Sequence, residues 1–247
     1  MSREVLRIEN ISKNYGKIET LSSLSLVVER GEMVALIGPS GSGKSTLLNL
    51  IGHLIAADSG NIYVEGKSID EFNNRALAKK IGMVRQNLDL VPQLSVINNV
   101  LAGKLSDWSF IKSLVSLVFP MEKELALSAL RKVGIEDKYT QQTSKLSGGE
   151  QQRVALARLL VQNPDIVLAD EPVSSLDPAR AEDVLSLMSS IAREENKTLV
   201  ASIHSVEYAR KFFTRVVGLR NGRIEFDMPT EKLTERELQI LYSLEVG

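Results

Sequence analysis

The sequence predicts an α/β fold interrupted by a block of helices. Three observations carry that reading. Short continuous apolar runs (Met33 to Ile37, Ile81 to Val84, Ile166 to Ala169) have the length and texture of buried strands, and Thr198 to Ile203 reads as a further strand. Helical periodicities lie between them, as in Pro178 to Glu194, where Val184, Leu185, Met188 and Ile191 form a stripe. From about Leu88 to Gln162, strand signals cease and helix signals alone remain.

The elements follow in order. Val5 to Ile11 alternates as a short strand, and Asn14, Tyr15 and Gly16 read as a turn. Leu21 to Glu29 alternates again, with Leu24, Leu26 and Val28 on one face, and Arg30-Gly31 ends it. After the buried run Met33 to Ile37, residues 38–46 read GPSGSGKST and lead into a helical Leu47 to Ile51. Ala57 to Gly60 turns into a strand, Asn61 to Val64, and Asn73 to Lys79 reads as a short helix before Ile81 to Val84. In the helical block, Leu125, Leu127, Leu130 and Val133 suggest one helix, stopped by Gly134. Gly149 to Val161 suggests another, with Val154, Leu156, Ala157, Leu160 and Val161 near one face. Asp177 and Pro178 are the N-cap and first position of the helix that reaches Glu194. Val206 to Phe213 is a helix. Asn221-Gly222 joins Val216–Arg220 to Arg223–Phe226 as a hairpin, and Glu235 to Leu244 closes the chain as a helix.

Composition removes whole classes of function. The 247 residues are 43 % hydrophobic and 25 % charged, with a formal net charge of −1. That balance is ordinary for a globular protein and gives no reason to expect nucleic acid as a partner. There is no cysteine, hence no disulfide and no thiolate metal site. The two histidines, His53 and His204, lack metal-motif spacing, and His53 reads as structural. The N-terminus lacks the apolar core of a signal peptide, and no run reaches the roughly 18 apolar residues of a spanning helix. A cytoplasmic protein is expected.

The chemistry centres on GPSGSGKST. Gly38, Gly43, Lys44 and Ser45 meet the pattern G-x-x-x-x-G-K-[ST] between a strand and a helix, which is the context it requires. A glycine-rich turn lets backbone N–H groups between Pro39 and Thr46, such as those of Ser40, Gly41 and Ser42, converge on phosphate oxygens, with the helix dipole behind them. Lys44 supplies a point charge, and the Ser45 hydroxyl suits Mg²⁺. Ile166 to Glu171 reads IVLADE, a strand ending in two carboxylates. Asp170 is placed to hold Mg²⁺, and Glu171 to orient or deprotonate an attacking water. Leu146 to Glu150 reads LSGGE at the start of a helix, a second anion-binding terminus formed by Ser147, Gly148 and Gly149.

Together with SSLD at Ser174 to Asp177 and the strand-end His204, these motifs make the chain resemble the ATP-binding subunit of an ABC transporter, over about Val5 to Phe226. The LSGG-Q/E pentapeptide is the specific element. The resemblance implies an α/β fold: a P-loop NTPase core of ABC ATPase type with an antiparallel β subdomain and an inserted helical subdomain. The core would comprise 1–87 and 163–247, and the helical subdomain 88–162. It implies ATP and Mg²⁺ as ligands, with Ser45, Gln86 and Asp170 at the metal. It implies Glu171, His204 and Gln86 at the lytic water and γ-phosphate, and Tyr15 stacked on adenine. Ser147, Gly148, Gly149 and Glu150 would contact ATP held by a second copy in a head-to-tail dimer, with Ser175 and Asp177 on the loop that crosses the interface. Arg85 stands where an aromatic commonly precedes the glutamine in that family, a departure from its pattern. The implied setting is peripheral, on the cytoplasmic face of the membrane, with permease subunits as direct partners and a solute-binding protein as an indirect one.

A narrower resemblance is to the ATP-binding subunits of phosphonate and phosphite importers. It rests on NNVLAG at Asn98 to Gly103, the insertion Lys104 to Pro120, KELALSALRKVG, LLNLIGHLIAADSG and LTERELQILYS. The apolar stretch Trp108 to Phe119 reads either as core of the helical block or as a surface against the permease. Three other readings share part of this pattern: another importer or an exporter, a soluble single-cassette assembly ATPase, and a small-molecule kinase. LSGGE argues against the last.

Overall fold

The computed structural model describes residues 3–118 and 120–243. Strands β1 (Glu4–Tyr15), β2 (Ile18–Glu29), β4 (Ser59–Val64) and β5 (Lys67–Ser68) form an antiparallel sheet in the order β2-β1-β4-β5. Strands β3 (Met33–Ile37), β6 (Ile81–Val84), β7 (Ile166–Asp170), β8 (Thr198–Ser202), β9 (Arg215–Arg220) and β10 (Arg223–Pro229) form the second sheet, in the order β10-β9-β3-β8-β7-β6. It is parallel except for β10, which returns antiparallel on β9.

The parallel sheet divides two cores, which explains its unbroken apolar strands. Val34 and Leu36 of β3 face one cluster, with Leu168, Val200 and Val217 from neighbouring strands. That cluster is closed by helix α1 (Lys44–Ile51) and the inner face of the antiparallel sheet, including Leu6, Ile8, Leu24 and Leu26. Met33, Ala35 and Ile37 face the other cluster, with Val167, Ala169, Leu199 and Ala201. Each strand alternates sides with the pleat, so both faces must be apolar. The short helix α2 (Asn74–Lys80), capped by the Asn73 side chain, leads into β6.

Residues 88–162 are helical: α3 (Val96–Leu101), α4 (Phe110–Val118), α5 (Lys123–Lys132) and α6 (Gly148–Gln162), with one isolated bridge, Ser95 to Gln142, among the described residues. Val96, Val100, Leu130, Val154 and Leu156 belong to the same cluster as Met33 and Ala35, so these helices share a core with the sheet. A buried polar knot fixes the entry to α3. Asn99 accepts from the Val91 amide at 2.8 Å and donates to the Val91 carbonyl at 3.0 Å, while the Thr143 hydroxyl donates to that carbonyl at 2.9 Å. Satisfying every group is what makes a buried amide tolerable here. The chain then runs through α7 (Pro178–Glu194), α8 (Val206–Phe212) and α9 (Glu235–Tyr242).

Several expectations are corrected. Asn14 and Tyr15 end β1 rather than forming the turn. Tyr15 pairs with Ile18, leaving Gly16 and Lys17 as a two-residue hairpin loop. In α5 the buried face is Ala126, Ala129, Leu130 and Val133, at spacings of three and four, while Leu125 is exposed. The alanines carry the helical period that the leucines break. In α7, Ala192 joins the buried stripe, and Ile191 is half-buried beside Met188 and Leu199. The insertion divides. Trp108 is buried, its indole N–H donating to Glu122 at 3.1 Å, whereas Phe110, Ile111 and Leu114 of α4 face outward. Phe119 and Leu244, expected ends of the apolar stretch and of the closing helix, lie outside the described residues.

Candidate nucleotide site

The loop between β3 and α1 is shaped by steric exclusion. Gly38 has φ +149°, and a Cβ there would lie 2.0 Å from the Leu219 carbonyl oxygen, so only glycine allows the loop to leave the sheet at this point. The β9–β10 turn braces the loop from outside. The Gly222 amide donates to the Ser42 carbonyl at 3.2 Å, and the Gly222 carbonyl accepts from the Ser22 amide at 3.0 Å. Asn221-Gly222 thus serves more than the hairpin it was expected to make.

Lys44, the first residue of α1, is almost wholly buried. Its ammonium donates to the carbonyls of Gly38 and Pro39 at 2.8 and 3.0 Å, and to the Ser42 hydroxyl at 3.4 Å. Burial pushes its pKa down, and the carboxylates of Glu171 and Asp170 pull it back up. The next residue, Ser45, donates its hydroxyl to Asp170 Oδ1 at 2.9 Å, joining α1 to the end of β7.

Glu171 follows with φ +47°, a left-handed conformation that non-glycine residues seldom adopt. Its carboxylate Oε1 lies 2.5 Å from His204 Nε2, just beyond β8. Ser202 links the two acids. Its hydroxyl donates to Asp170 Oδ1 at 2.8 Å and accepts from the Glu171 amide at 2.8 Å. Sequence reading missed Ser202. The one available signal was a hydroxyl after the apolar Leu199 to Ala201, at the strand's end. Gln86, after β6, reaches the same network more loosely: its side-chain amide donates to the Ser174 hydroxyl at 3.4 Å, and that hydroxyl donates to the Glu171 carbonyl at 3.2 Å. A cavity of about 120 Å³ lies behind this network, bounded by Glu171, Ser174, His204 and Tyr208. Tyr15 stands exposed at the tip of the β1–β2 hairpin, with the Lys13 ammonium 5.8 Å from its ring centre.

Ser147 and its neighbours lie at the start of α6. Ser147 caps α6 in a closed capping box with Glu150. The Ser147 amide and hydroxyl donate to Glu150 Oε2 at 2.8 and 2.9 Å, and these bonds hold the Glu150 carboxyl below the usual carboxylate range. Ser147 and Gly148 are exposed at the helix's positive end. The loop ending at Asp177 packs beside them: a Cβ on Gly148 would meet Leu176 at 3.8 Å, and one on Gly149 would meet Arg180 at 3.5 Å. Asp177 caps α7 by accepting from the Arg180 amide at 3.1 Å, and Ser175 is exposed on the same loop.

A parallel sheet carrying this loop at one strand end and an acidic pair two strands away defines a phosphate-loop NTPase. Comparison with known proteins narrows the class. Residues 21–174 match the model of the ABC transporter family. The chain is 47% identical over 231 residues to the phosphonates import ATP-binding protein PhnC of Pseudomonas fluorescens, covering 92% of this chain and 87% of that one. It is 40% identical over 250 residues to the hypophosphite import ATP-binding protein HtxD of Stutzerimonas stutzeri, covering 100% of this chain and 73% of that one. Among solved structures, a dimeric ATP-binding cassette in a post-hydrolysis state bound to ADP and Pi superposes with a TM-score of 0.76 at 32% identity, covering 92% of this chain and 100% of that one. The chain belongs to the ABC transporter family, and its activity is the family's: ATP binding, and ATP hydrolysis coupled to transport.

Proposed function

We propose that this chain energises the import of phosphonate, phosphite or a related phosphorus oxyanion. The carrying observation for the chemistry is the continuous network from Ser45 through Asp170 and Ser202 to Glu171 and His204, set against the loop that holds Lys44. The support for the cargo is the pair of relatives whose names specify phosphonates and hypophosphite import.

In this reading, the backbone N–H groups of residues 38–46 other than Pro39, together with the Lys44 ammonium, hold the phosphates of ATP. Freeing Lys44 from the Gly38 and Pro39 carbonyls exchanges one set of acceptors for another, so substrate oxygens replace bonds the ammonium already makes. The residues suit Mg²⁺. The Ser45 hydroxyl and Asp170 carboxylate are hard oxygen donors that already meet, and an ion that retains few protein ligands needs no larger cage. Gln86 would join them. The chemistry supplied there is charge neutralisation on the phosphate oxygens. Glu171 orients and deprotonates the attacking water, and His204, whose ring meets the Glu171 carboxylate, assists it. Tyr15 offers its exposed ring to the adenine face.

Ser147, Gly148 and Gly149 complete the site of a second copy. Each ATP then lies between one chain's Lys44 and its partner's Ser147 in a head-to-tail dimer, with Ser175 and Asp177 along the seam. The helices of 88–162 act as the subdomain that presents Ser147, and 1–87 with 163–247 form the catalytic core. Support comes from the exposure of the capped Ser147 at the start of α6, and from the dimeric cassette that this fold matches. No helix among the described residues is long and apolar enough to cross a membrane. In this reading the chain reaches transport through permease subunits, peripherally on the cytoplasmic face, and meets a solute-binding protein only through them.

Affinity capture of the chain from native membranes in mild detergent, followed by mass spectrometry, tests the transport assignment. A multi-spanning permease is expected, with a binding protein that takes up phosphonates, phosphite or hypophosphite on titration. Recovery of the chain with soluble assembly factors and no membrane partner would leave the ATPase and remove the importer. A binding protein selective for an unrelated solute would overturn the cargo alone.

A further inference from the structure

Ser202 ends β8 with no exposed surface. In the sheet register it stands between Leu36 of β3 and Asp170 of β7. A buried hydroxyl in an apolar strand is unfavourable unless it is hydrogen-bonded, and alanine would fill this place at no such cost. Here the hydroxyl is used on both sides. It donates to Asp170 Oδ1, the same oxygen that accepts from Ser45, and it accepts from the Glu171 amide.

The consequence lies in what Glu171 needs. Its left-handed backbone is a conformation that surrounding bonds must hold. Ser202 fixes its amide end, and His204, two residues along the same strand exit, fixes its carboxylate end. The position of β8 therefore sets both ends of Glu171, and one hydroxyl ties that setting to Asp170. The geometry assigns Ser202 as a positioning residue that couples the carboxylate facing the metal to the carboxylate facing the water. This assignment rests on the roles given above to Asp170 and Glu171.

The test compares Ser202→Ala, Ser202→Thr and Ser202→Cys in the full chain. Calorimetric titration with ADP is run with Mg²⁺ and again with EDTA, alongside steady-state hydrolysis. Ser202→Ala is expected to keep the EDTA affinity within about 2-fold of wild type, reduce the gain in affinity conferred by Mg²⁺, and lower kcat by on the order of 10-fold. Ser202→Thr, which keeps the hydroxyl, is expected to recover most of both. Should the alanine variant not fold, Ser202→Cys carries the same expectation, because a thiol is similar in shape and a weak donor. A lowered melting temperature with unchanged kcat and unchanged Mg²⁺ gain would reduce Ser202 to a packing role and overturn the assignment. Glu171→Gln run beside it separates the failures. If that variant is inactive while Ser202→Ala turns over normally, only the Ser202 assignment falls. If Glu171→Gln turns over normally, the underlying reading of the site falls with it.

Discussion

Glu171→Gln is expected to leave ATP binding intact and to slow hydrolysis by at least ~10²-fold. The substitution keeps the side chain's shape and removes its basic oxygen. The fold has little reason to respond, since the residue's amide remains bonded to Ser202 and its side chain is partly open to solvent. Nothing in the loop at 38–46 depends on the Glu171 carboxylate except the charge it contributes near Lys44. Removing that charge makes the loop more positive and favours a polyanion, so affinity for ATP is expected to hold or to rise. Single-turnover release of γ-phosphate, with nucleotide binding measured in parallel, checks both halves. Near-normal release would take Glu171 out of the water's path.

Lys44→Ala is expected to produce the other large effect, a loss of nucleotide affinity of about 10²-fold or more, with the fold retained. The reason is local. The ammonium is almost buried and surrounded by the acceptors it already satisfies: two carbonyls, one hydroxyl and, further off, two carboxylates. A positive charge so placed interacts with a polyphosphate through little intervening water, where Coulombic attraction is strongest. Stability changes in two opposing ways. The carbonyls of Gly38 and Pro39 lose a charged donor, which costs stability, while the desolvation that depresses the Lys44 pKa is relieved, which restores some. Calorimetric titration with ADP and a thermal melt separate the two. Wild-type affinity in a folded Lys44→Ala chain would place the phosphates elsewhere.

The parts of the fold that were legible in sequence are those whose causes are local. The bounds of β3 and β6 match the apolar runs because strands buried on both faces admit no polar residue. The bounds of α7 match because Asp177 and Pro178 are a cap and a first position by their own chemistry. The ends of β1 and β2 were read too short, since Lys13, Asn14 and Glu19 are polar and are held by pairing across the hairpin rather than by burial. The loop at 38–46 and the acidic pair were legible as contiguous motifs. The link between them was not. Ser202 reaches Asp170 only because β7 and β8 pair in a register that brings them level, a fact about strands more than thirty positions apart. Glu150 adds a local feature that the reading did not draw: the spacing Ser-x-x-Glu closes a capping box, in which its carboxylate accepts from the Ser147 amide.

In the proposed composite site, a second copy of the chain finishes each nucleotide site through Ser147. Sedimentation of the Glu171→Gln chain with ATP and Mg²⁺ tests it, because that variant should hold the nucleotide without consuming it. The predicted result is a shift from the mass of one chain to that of two on adding ATP. Introducing Ser147→Arg into the same chain should abolish the shift, while ATP still binds at the loop around Lys44. A thermal melt of the double variant guards against loss of the α6 cap, worth about 1 kcal/mol. Dimers that persist with Ser147→Arg, or an ATP-bound Glu171→Gln chain that stays single, would contradict the composite site.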